Sequence, residues 1–380
     1  MDIQELRGVI DGIDSRIVEL YNKRMQVTSE IGAWKRERGL PVVDTQRERE
    51  LLNRVGELAG EENEPGVRAL FSMLMAESST RQMMDGRSES ELGKSIRKSI
   101  RETRELFPPK AMVACQGMEG AYSQMACEKI FQMPSIMYFK NFENVFSAIE
   151  RGLCTYGILP IENSLAGSVS SVYDQMISHN FYIVRSTRVK IDHTLLAKPG
   201  VRQEDIKEVF SHEQAIQQCS GYLAAHKDWR VNICSNTAAA AKMVAESGRT
   251  DVAAISSGNC AALYGLERLD GDIQNNSNNY TRFICISRKP EIYPGADHTS
   301  LMLVLPNRPG SLYQLLGRFN AQGINLTKLE SRPMPGKDFE FMFYFDIEAS
   351  VYSPSFARLI EELDATLDNF SYLGSYSIVS

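Results

Sequence analysis

The sequence lacks the marks of a metal-binding, disulfide-bonded or membrane protein. Its seven cysteines form no C-x-x-C pair and its five histidines form no H-E-x-x-H motif, so neither a disulfide framework nor a metal site is predicted. No G-x-G-x-x-G follows a predicted strand, which argues against a dinucleotide cofactor. No run of about 18 apolar residues occurs, and the opening "MDIQELRGVID" is acidic. The net charge of -6 argues against a nucleic-acid partner. We therefore expect a cytoplasmic protein with no cofactor and no membrane partner.

What the sequence does contain is a change of pattern along its length. A chain of 380 residues, 43% of them apolar, is long enough to build two or three cores. Apolar residues recur every three or four positions from Ile3 to Trp34, which predicts one long amphipathic helix. Two further helical patterns cover residues 44–58 and 67–84. Residues 1–85 are therefore predicted to form an all-α domain.

The rest of the chain alternates between strand and helix patterns. Residues 86–109 are charged and end at Pro108 and Pro109, which predicts a partly helical linker. Short apolar runs such as "AMVAC" and "DVAAIS" then alternate with helical stretches, which predicts an α/β domain over residues 110–290. Residues 298–380 follow the order βαββαβ, which is the α+β ferredoxin-like arrangement.

Charged residues recur on one side of the long helix. Arg24 and Lys35 are eleven positions apart, so they lie within about 20° of one another around the helix axis. Arg7 is seventeen positions from Arg24, which places it about 25 Å along the axis and roughly 100° around it. If both arginines serve one site, Arg7 must come from another subunit or from a chain that folds back. The second helix adds Asp44, Arg47 and Glu48, and the third adds Ser78 and Gln82 at i and i+4.

This set resembles the active-site residues of the all-helical chorismate mutases. The matching stretches are "ELRGVID", "NKRM", "GAWKRE", "VVDTQRERE" and "ESSTRQ". The resemblance implies an intertwined dimer in which one arginine crosses from the partner. It also implies that Arg7 and Arg24 bind the two carboxylates of chorismate, with Arg47 in support. Lys35 and Gln82 are both candidates for the ether oxygen, and Glu48 with Asp44 for the substrate hydroxyl.

Three loops in the α/β segment each lead from an apolar strand into the start of a helix. They contain Tyr122 and Ser123, then Glu162, Asn163 and Ser164, and then Ser235 and Thr237. Backbone N–H groups at helix starts favour a carboxylate-rich ligand. N-capping by Ser, Thr or Asn explains each single loop equally well.

Together with "SHEQAIQQC" and "NYTRF", these loops resemble those of the prephenate dehydratases. The resemblance implies a two-lobed, periplasmic-binding-protein-like fold, in which Glu162, Asn163, Gln218 and Thr281 are the catalytic residues. It implies substrate contacts from Tyr122, Ser123, Ser164, Ser211, His212, Ser235, Thr237, Arg282 and Phe283. Met118, Ala121 and Glu213 depart from the family pattern.

The dehydration requires a proton for a poor leaving group, and more than one residue is a candidate donor. We expect Thr281 to hydrogen-bond the departing hydroxyl, since a threonine alone is too weak an acid. Glu162 is our hypothesis for the acid, and His212 is the alternative. Strand alternation places Thr281 and Phe283 on one face and Arg282 on the other.

The C-terminal segment resembles an ACT regulatory domain. Its motifs are "NRPGSLYQLLGRF" and "LTKLESRPMPG", in which Ser311 replaces the common alanine. The resemblance implies phenylalanine binding at a dimer interface through Pro309, Gly310, Ser311, Leu312, Glu330, Ser331, Arg332 and Pro333.

Taken together, the three segments resemble the bifunctional chorismate mutase/prephenate dehydratases. This implies that chorismate becomes prephenate and then phenylpyruvate, CO2 and water, with feedback inhibition by L-phenylalanine. We expect a homodimer or a larger homo-oligomer. An enzyme with only one of the two activities and a non-catalytic amino-acid-binding protein are the alternatives.

Overall fold

The first part of the structure is helical, as the sequence predicts. The structure is a computed structural model that describes residues 2–334 and 340–379. Asp2 starts the first helix with a capping box, in which its carboxylate accepts the Glu5 N–H and the Glu5 carboxylate accepts the Asp2 N–H. The helices of this part and of the following linker are α1 Ile3–Glu37, α2 Thr45–Ala59, α3 Glu64–Met84 and α4 Glu91–Glu102.

The N-terminal half of α1 projects from the rest of the chain. Only Met25, Thr28 and Gly32 of this helix are buried, because α3 packs against its C-terminal half. A Cβ on Gly32 would lie 2.8 Å from Gln82 Cγ, so the close approach of the two helices requires glycine at this position. Ile3, by contrast, keeps 60% of its surface exposed. An apolar face of this length is typical of a surface that contacts another chain.

The larger lobe of the α/β segment is built on a seven-stranded sheet. Its strands run in the order β16-β5-β11-β3-β1-β2, with the short β4 beside β3. Strand β1 is parallel to β2 and β3, whereas β11 is antiparallel to both of its neighbours, β3 and β5. The elements of this lobe are β1 Met112–Gln116, α5 Tyr122–Ile130, β2 Ser135–Phe139, α6 Phe142–Glu150, β3 Tyr156–Asn163, β4 Gly167–Ser168, α7 Ser170–Met176, β5 Tyr182–Lys190, β11 Tyr280–Ser287 and β16 Ile378–Val379.

The smaller lobe is inserted between β5 and β11, so the chain crosses between the lobes twice. Its five strands have the order β10-β6-β9-β7-β8. A turn of the larger lobe meets it, since the Tyr264 hydroxyl donates to the Glu119 carbonyl at 2.6 Å. The elements are β6 Thr194–Ala197, a 3-10 helix Gln203–Asp205, β7 Glu208–Ser211, α8 Glu213–Gln218, α9 Ser220–Ala225, β8 Arg230–Ile233, α10 Thr237–Glu246, β9 Val252–Ser256, α11 Asn259–Tyr264 and β10 Glu267–Asp270.

The C-terminal segment folds in the predicted βαββαβ order. Its four antiparallel strands have the spatial order β13-β14-β12-β15. Met302, Met342 and Tyr344 pack into the same apolar core as the larger lobe, so the two segments share a continuous interface. The linker helix packs here too, because Ile96 joins the core of this segment. The elements are β12 His298–Val304, α12 Ser311–Ala321, β13 Asn325–Pro333, β14 Phe341–Glu348, α13 Pro354–Thr366 and β15 Phe370–Tyr376.

None of the helices within the described residues is long and apolar enough to cross a membrane.

Candidate active sites

A pocket of about 530 Å3 opens among α1, α2 and α3. Seven of the eight residues that the sequence predicts for a mutase site line it. They are Arg24, Lys35, Asp44, Arg47, Glu48, Ser78 and Gln82. With Lys23 and Arg54, which also line it, five cations and two carboxylates share one concave surface of the size that a small dicarboxylate requires.

Local contacts fix the orientation of these side chains. The Arg24 guanidinium donates to the Leu74 carbonyl at 3.0 Å and to the Ser78 hydroxyl, and burial lowers the pKa of Arg24. The Lys35 ammonium donates to the Val42 carbonyl at 2.6 Å. Gln82 is buried, and its Oε1 has no hydrogen-bond partner among the described residues. A buried amide oxygen without a partner is costly, so a ligand donor at this point would stabilise it.

The eighth predicted residue, Arg7, lies outside this pocket. It is on the exposed first third of α1, away from the residues that line the cavity. The sequence reasoning also missed Thr28, Arg54 and Ser79, which do line it. Arg54 carries a signal that could have found it, because it follows Arg47 by seven positions and so lies on the same face of α2.

In the α/β segment, Asn163 and Thr281 lie opposite one another on paired strands. The Asn163 Nδ2 donates to Thr281 Oγ1 at 3.0 Å and to Asn279 Oδ1 at 2.7 Å. The Asn163 Oδ1 accepts two backbone N–H groups at 3.1 and 2.9 Å, so its amide orientation is fixed. Because Thr281 Oγ1 accepts from Asn163, its own hydrogen is free to point to a ligand.

The placement of Glu162 contradicts its predicted role as the acid. Strand β3 carries one extra residue between Pro160 and Glu162, opposite the Arg282–Phe283 step of β11. This bulge shifts the alternation, so Asn163 rather than Glu162 faces Thr281. The Glu162 carboxylate instead lies on the side of the C-terminal segment, where the Lys328 ammonium donates to it at 2.8 Å.

Arg282 also lies on the side of the C-terminal segment, opposite Thr281. Its guanidinium contacts the Asp346 carboxylate at 2.6 Å and the Tyr376 hydroxyl at 2.7 Å, so the predicted substrate contact is wrong. Phe283 shares the Thr281 face, as predicted, but packs in the core beneath α5.

Several predicted substrate contacts are hydroxyl groups with partners inside the protein. The buried Ser211 donates to the Ile255 carbonyl at 2.6 Å, which corrects the prediction that it contacts substrate. Ser123 donates to the Gln116 carbonyl at 2.5 Å, and Tyr122 to the Asp192 carbonyl at 2.7 Å. Ser164 accepts the Tyr280 N–H at 2.9 Å.

The predicted residues of the smaller lobe lie at two helix starts. The His212 ring caps α8 by accepting the Gln214 N–H at its Nδ1, at 3.3 Å, so this nitrogen is engaged at the helix start. Thr237 is the first residue of α10, and Ser235 is exposed two positions before it.

Two buried residues that the sequence reasoning missed complete the region between the lobes. Asn279 is fully buried beside Asn163, and its Nδ2 has no partner among the described residues. His193 is buried at the first crossover, and its Nε2 lies 2.8 Å from Gln218 Oε1. Asn279 could have been found, because it precedes Thr281 by two positions and so shares its face.

Comparisons with known proteins support both halves of the chain. Two family models match, prephenate dehydratase over residues 113–291 and chorismate mutase type II over residues 6–83. The bifunctional chorismate mutase/prephenate dehydratase of Escherichia coli strain K12 is 29% identical over 98% of this chain and 95% of that protein. The Arabidopsis thaliana arogenate dehydratase/prephenate dehydratase 2 is 37% identical over 71% of this chain and 73% of that protein.

The chain belongs to the bifunctional chorismate mutase/prephenate dehydratase family.

Solved structures also resemble this chain over 70% of its length. A prephenate dehydratase from Arthrobacter aurescens in complex with L-Phe has 29% identity and a TM-score of 0.65, covering 70% of this chain and 90% of that chain. GqqA, described as a novel type of quorum quenching acylase, has 32% identity and a TM-score of 0.64, covering 70% of this chain and 97% of that chain.

The predicted effector residues of the mutase/dehydratase fall into two groups. Gly310, with φ of +87°, precedes α12, and the buried Ser311 Oγ after it has no partner among the described residues. Leu312 packs against the core of this domain, and Pro309 lines a cavity of about 270 Å3 together with Glu48 of the mutase domain. This first group leaves polar groups available at a helix start.

The second group lies on β13 and divides by strand alternation. Glu330 accepts from the Ser168 hydroxyl at 2.6 Å, and Arg332 contacts Asp174 at 2.9 and 3.0 Å. These contacts join the domain to the dehydratase lobe, which corrects the prediction that both side chains bind effector. Ser331 and Pro333 alternate with them and are exposed.

Because His193 is buried, we expect the stability of the dehydratase domain to depend on pH. Burial lowers the pKa of His193, and the hydrogen bond to Gln218 opposes this only in part. Below about pH 6.5 the unfolded chain takes up a proton that the folded chain resists, so the free energy of unfolding falls as the pH falls. We expect His193→Gln, which can keep a bond to Gln218, to flatten this dependence in urea titrations between pH 7 and pH 5. If the free energy of unfolding changed equally with pH in the variant and in the native protein, His193 would not be the source of this pH dependence.

Proposed function

We propose that the helical domain rearranges chorismate to prephenate in the pocket that holds Arg24 and Lys35. The reaction is a concerted pericyclic shift, so it needs no nucleophile, only a compact conformer and stabilisation of charge on the breaking ether oxygen. Arg24 of α1 binds a carboxylate, while Lys35, three turns further along α1, and Gln82 of α3 donate to the ether oxygen. The observation that carries this assignment is the convergence of seven predicted residues on one pocket.

We propose that the two-lobed domain converts prephenate to phenylpyruvate, CO2 and water at the Asn163–Thr281 pair. The bond to the ring carboxylate breaks to release CO2, its electron pair completes the aromatic ring, and the C–O bond breaks. The departing hydroxide needs hydrogen bonds as it leaves, and it takes its proton from solvent water. Thr281 donates to that oxygen, because Asn163 already donates to Thr281 Oγ1. Gln218, held by His193, is the positioning group from the second lobe.

The direct test is to supply chorismate to the purified protein and follow prephenate and phenylpyruvate over time. Both products are expected in that order. Arogenate, which the name of the Arabidopsis relative contains, is supplied in a second experiment. We expect prephenate to be the preferred substrate, because the mutase domain produces it. Absence of turnover with all three substrates would refute the proposal.

We further propose that the mutase site is completed by a second copy of this chain, which supplies Arg7. The support is the exposed apolar half of α1 and the position of Arg7 outside its own pocket. Arg7→Ala and Lys35→Ala chains are each expected to be nearly inactive as mutases. Coexpressed, they should recover about a quarter of native mutase sites, because one site of each mixed dimer carries neither change. If each site were formed within a single chain, coexpression would recover no mutase activity.

We propose that the C-terminal domain binds L-phenylalanine through the Gly310 turn and lowers dehydratase activity. The support is the Arthrobacter relative, whose structure contains L-Phe, and the buried Ser311 hydroxyl without a partner among the described residues. The proposed domain boundaries are 1–85, 110–290 and 298–380, with a linker at 86–109.

Gly310→Ala tests the effector turn. At φ of +87° a side chain is strained by about 1–2 kcal/mol, so the turn is expected to shift. The phenylalanine concentration for half inhibition should rise about tenfold, within the usual range of coupling between sites. Gly323→Ala is the matched control, since it imposes similar strain at the other end of α12, with φ of +66° and open space around it. Equal inhibition of both variants would exclude the turn.

A further inference from the structure

Two ion pairs between domains lie directly behind the dehydratase pair. Asn163 and Thr281 face the site, and the next residue of each strand, Glu162 and Arg282, faces the C-terminal domain. Glu162 accepts from Lys328 at 2.8 Å, and Arg282 contacts Asp346 at 2.6 Å. Each residue of the site thus has a neighbour in its own strand that is anchored to the C-terminal sheet.

We propose that Lys328 and Asp346 are positioning residues for the dehydratase site, acting through Glu162 and Arg282. This inference rests on the proposed dehydratase function of the Asn163–Thr281 pair. It assigns part of the framework of that site to the C-terminal domain.

The bulge in β3 explains why the site needs positioning residues such as Lys328. The extra residue between Pro160 and Glu162 decides which face of the sheet each following side chain occupies. If the bulge were lost, the register would shift so that Glu162, and not Asn163, lies opposite Thr281. Lys328 opposes this movement, because its ammonium contacts both the Glu162 carboxylate and the Ser168 hydroxyl, the latter at 2.7 Å. Glu162 and Ser168 are themselves paired across β3 and β4.

Burial restricts the orientation of the charged groups in the Arg282–Asp346 and Lys328–Glu162 ion pairs. The side chains of Arg282 and Asp346 are only 11% and 7% exposed, and that of Lys328 is 12% exposed, whereas that of its partner Glu162 is 34% exposed. Asp346 also accepts from the Ser300 hydroxyl within its own domain. A charge held in this way cannot turn to solvent, so it constrains the strand that carries its partner.

A third ion pair across the same interface provides a matched control. Arg332 and Asp174 are 2.8 Å apart, but Asp174 lies on α7 and not on a strand of the site. A role limited to joining the domains predicts similar effects for all three pairs. The positioning role predicts that only the two pairs behind Asn163 and Thr281 affect turnover.

The test measures kcat and KM for prephenate in the full-length chain. Lys328→Met is expected to lower kcat by roughly 10- to 100-fold with little change in KM, since misplacement by about 1 Å can cost that much. Lys328→Arg should retain most activity, and Asp174→Asn should match the native chain. The double exchange of Glu162→Lys with Lys328→Glu should recover most of the lost kcat. Asp346→Asn combined with Arg282→Gln, which leaves no unpaired buried charge, should also lower kcat.

Mutase turnover in the same preparations reports whether each variant is folded. Native kcat in Lys328→Met would overturn the proposal. So would an exchange variant as slow as Lys328→Met, since the loss would then depend on the residues and not on their pairing. A crystal structure of Lys328→Met gives a readout independent of turnover, because the Asn163 Nδ2 to Thr281 Oγ1 contact should be lost. Its retention would overturn the proposal even if the native chain proved inactive with prephenate, which would refute the proposed function separately.

Discussion

Thr281→Val is expected to lower the dehydratase kcat by about 10²–10³-fold and to leave mutase turnover unchanged. Removal of one hydrogen-bond donor from a developing negative charge typically costs about 3–4 kcal/mol of transition-state stabilisation. Valine has nearly the same shape as threonine and suits a strand, so Thr281→Val removes the hydroxyl while the pairing with β3 and β5 can persist. The measurement is phenylpyruvate formation from prephenate at saturating substrate.

Mutase activity in the same sample measures how much chain with a folded mutase domain is present, because the mutase pocket contains no residue of β11. Asn163→Ala should show a loss of similar size, since the amide orients the Thr281 hydroxyl. A Thr281→Val enzyme with native kcat would show that the leaving oxygen is stabilised by another group.

Lys35→Ala is expected to show the reverse pattern, with mutase kcat about 10²–10³-fold lower and dehydratase turnover intact. The Lys35 ammonium is fixed by the Val42 carbonyl, so it is held in place before substrate binds. Loss of such a preoriented donor to the ether oxygen removes stabilisation that exists mainly in the transition state. The effect should therefore appear in kcat more than in KM, measured as prephenate formation from chorismate.

Arg38→Ala, three positions further on, is the matched control because Arg38 is exposed and pairs with Glu37. It removes a cation of the same region without entering the pocket. Equal losses in both variants would indicate that the general charge of this helix end matters, and not a donor at Lys35. Simultaneous loss of dehydratase turnover in Lys35→Ala would contradict separate sites.

The helical site was largely predictable from sequence because its geometry follows from helix periodicity. Periodicity puts Arg24 and Lys35 on one side of α1 and Ser78 and Gln82 on one side of α3. The resemblance to the chorismate mutases implies that these sides face one site, and in the structure all four residues line one pocket. The angle between successive residues is constant along a regular helix, so residues that are several turns apart can be assigned to the same face. Arg54 lies two turns beyond Arg47, outside the stretch "VVDTQRERE" that carries the resemblance.

The dehydratase site was less predictable because a strand changes phase wherever an extra residue enters. Strict alternation along β3 would have placed Glu162 beside Thr281, and the bulge reverses this. Pro160 within "GILPIENS" is a signal for that bulge, because a proline inside a central strand occurs essentially only at bulges, but it does not indicate which residue is the extra one. In the C-terminal domain, the sequence located the effector motif but could not show that Glu330 and Arg332 face the neighbouring lobe, since that depends on how two domains dock.

Strand β16 has a consequence for how the chain is made. Ile378 and Val379 pair with Ser186 and Thr187 of β5, and so form an edge of the sheet that begins at Met112. During synthesis this sheet stays incomplete until Ile378 is made, 188 positions after Lys190 at the end of β5. Until then the β5 edge is open, and an open edge is a template for pairing with other nascent chains. Completion of the dehydratase lobe is thus among the last events of folding, with the slow kinetics of long-range strand pairing.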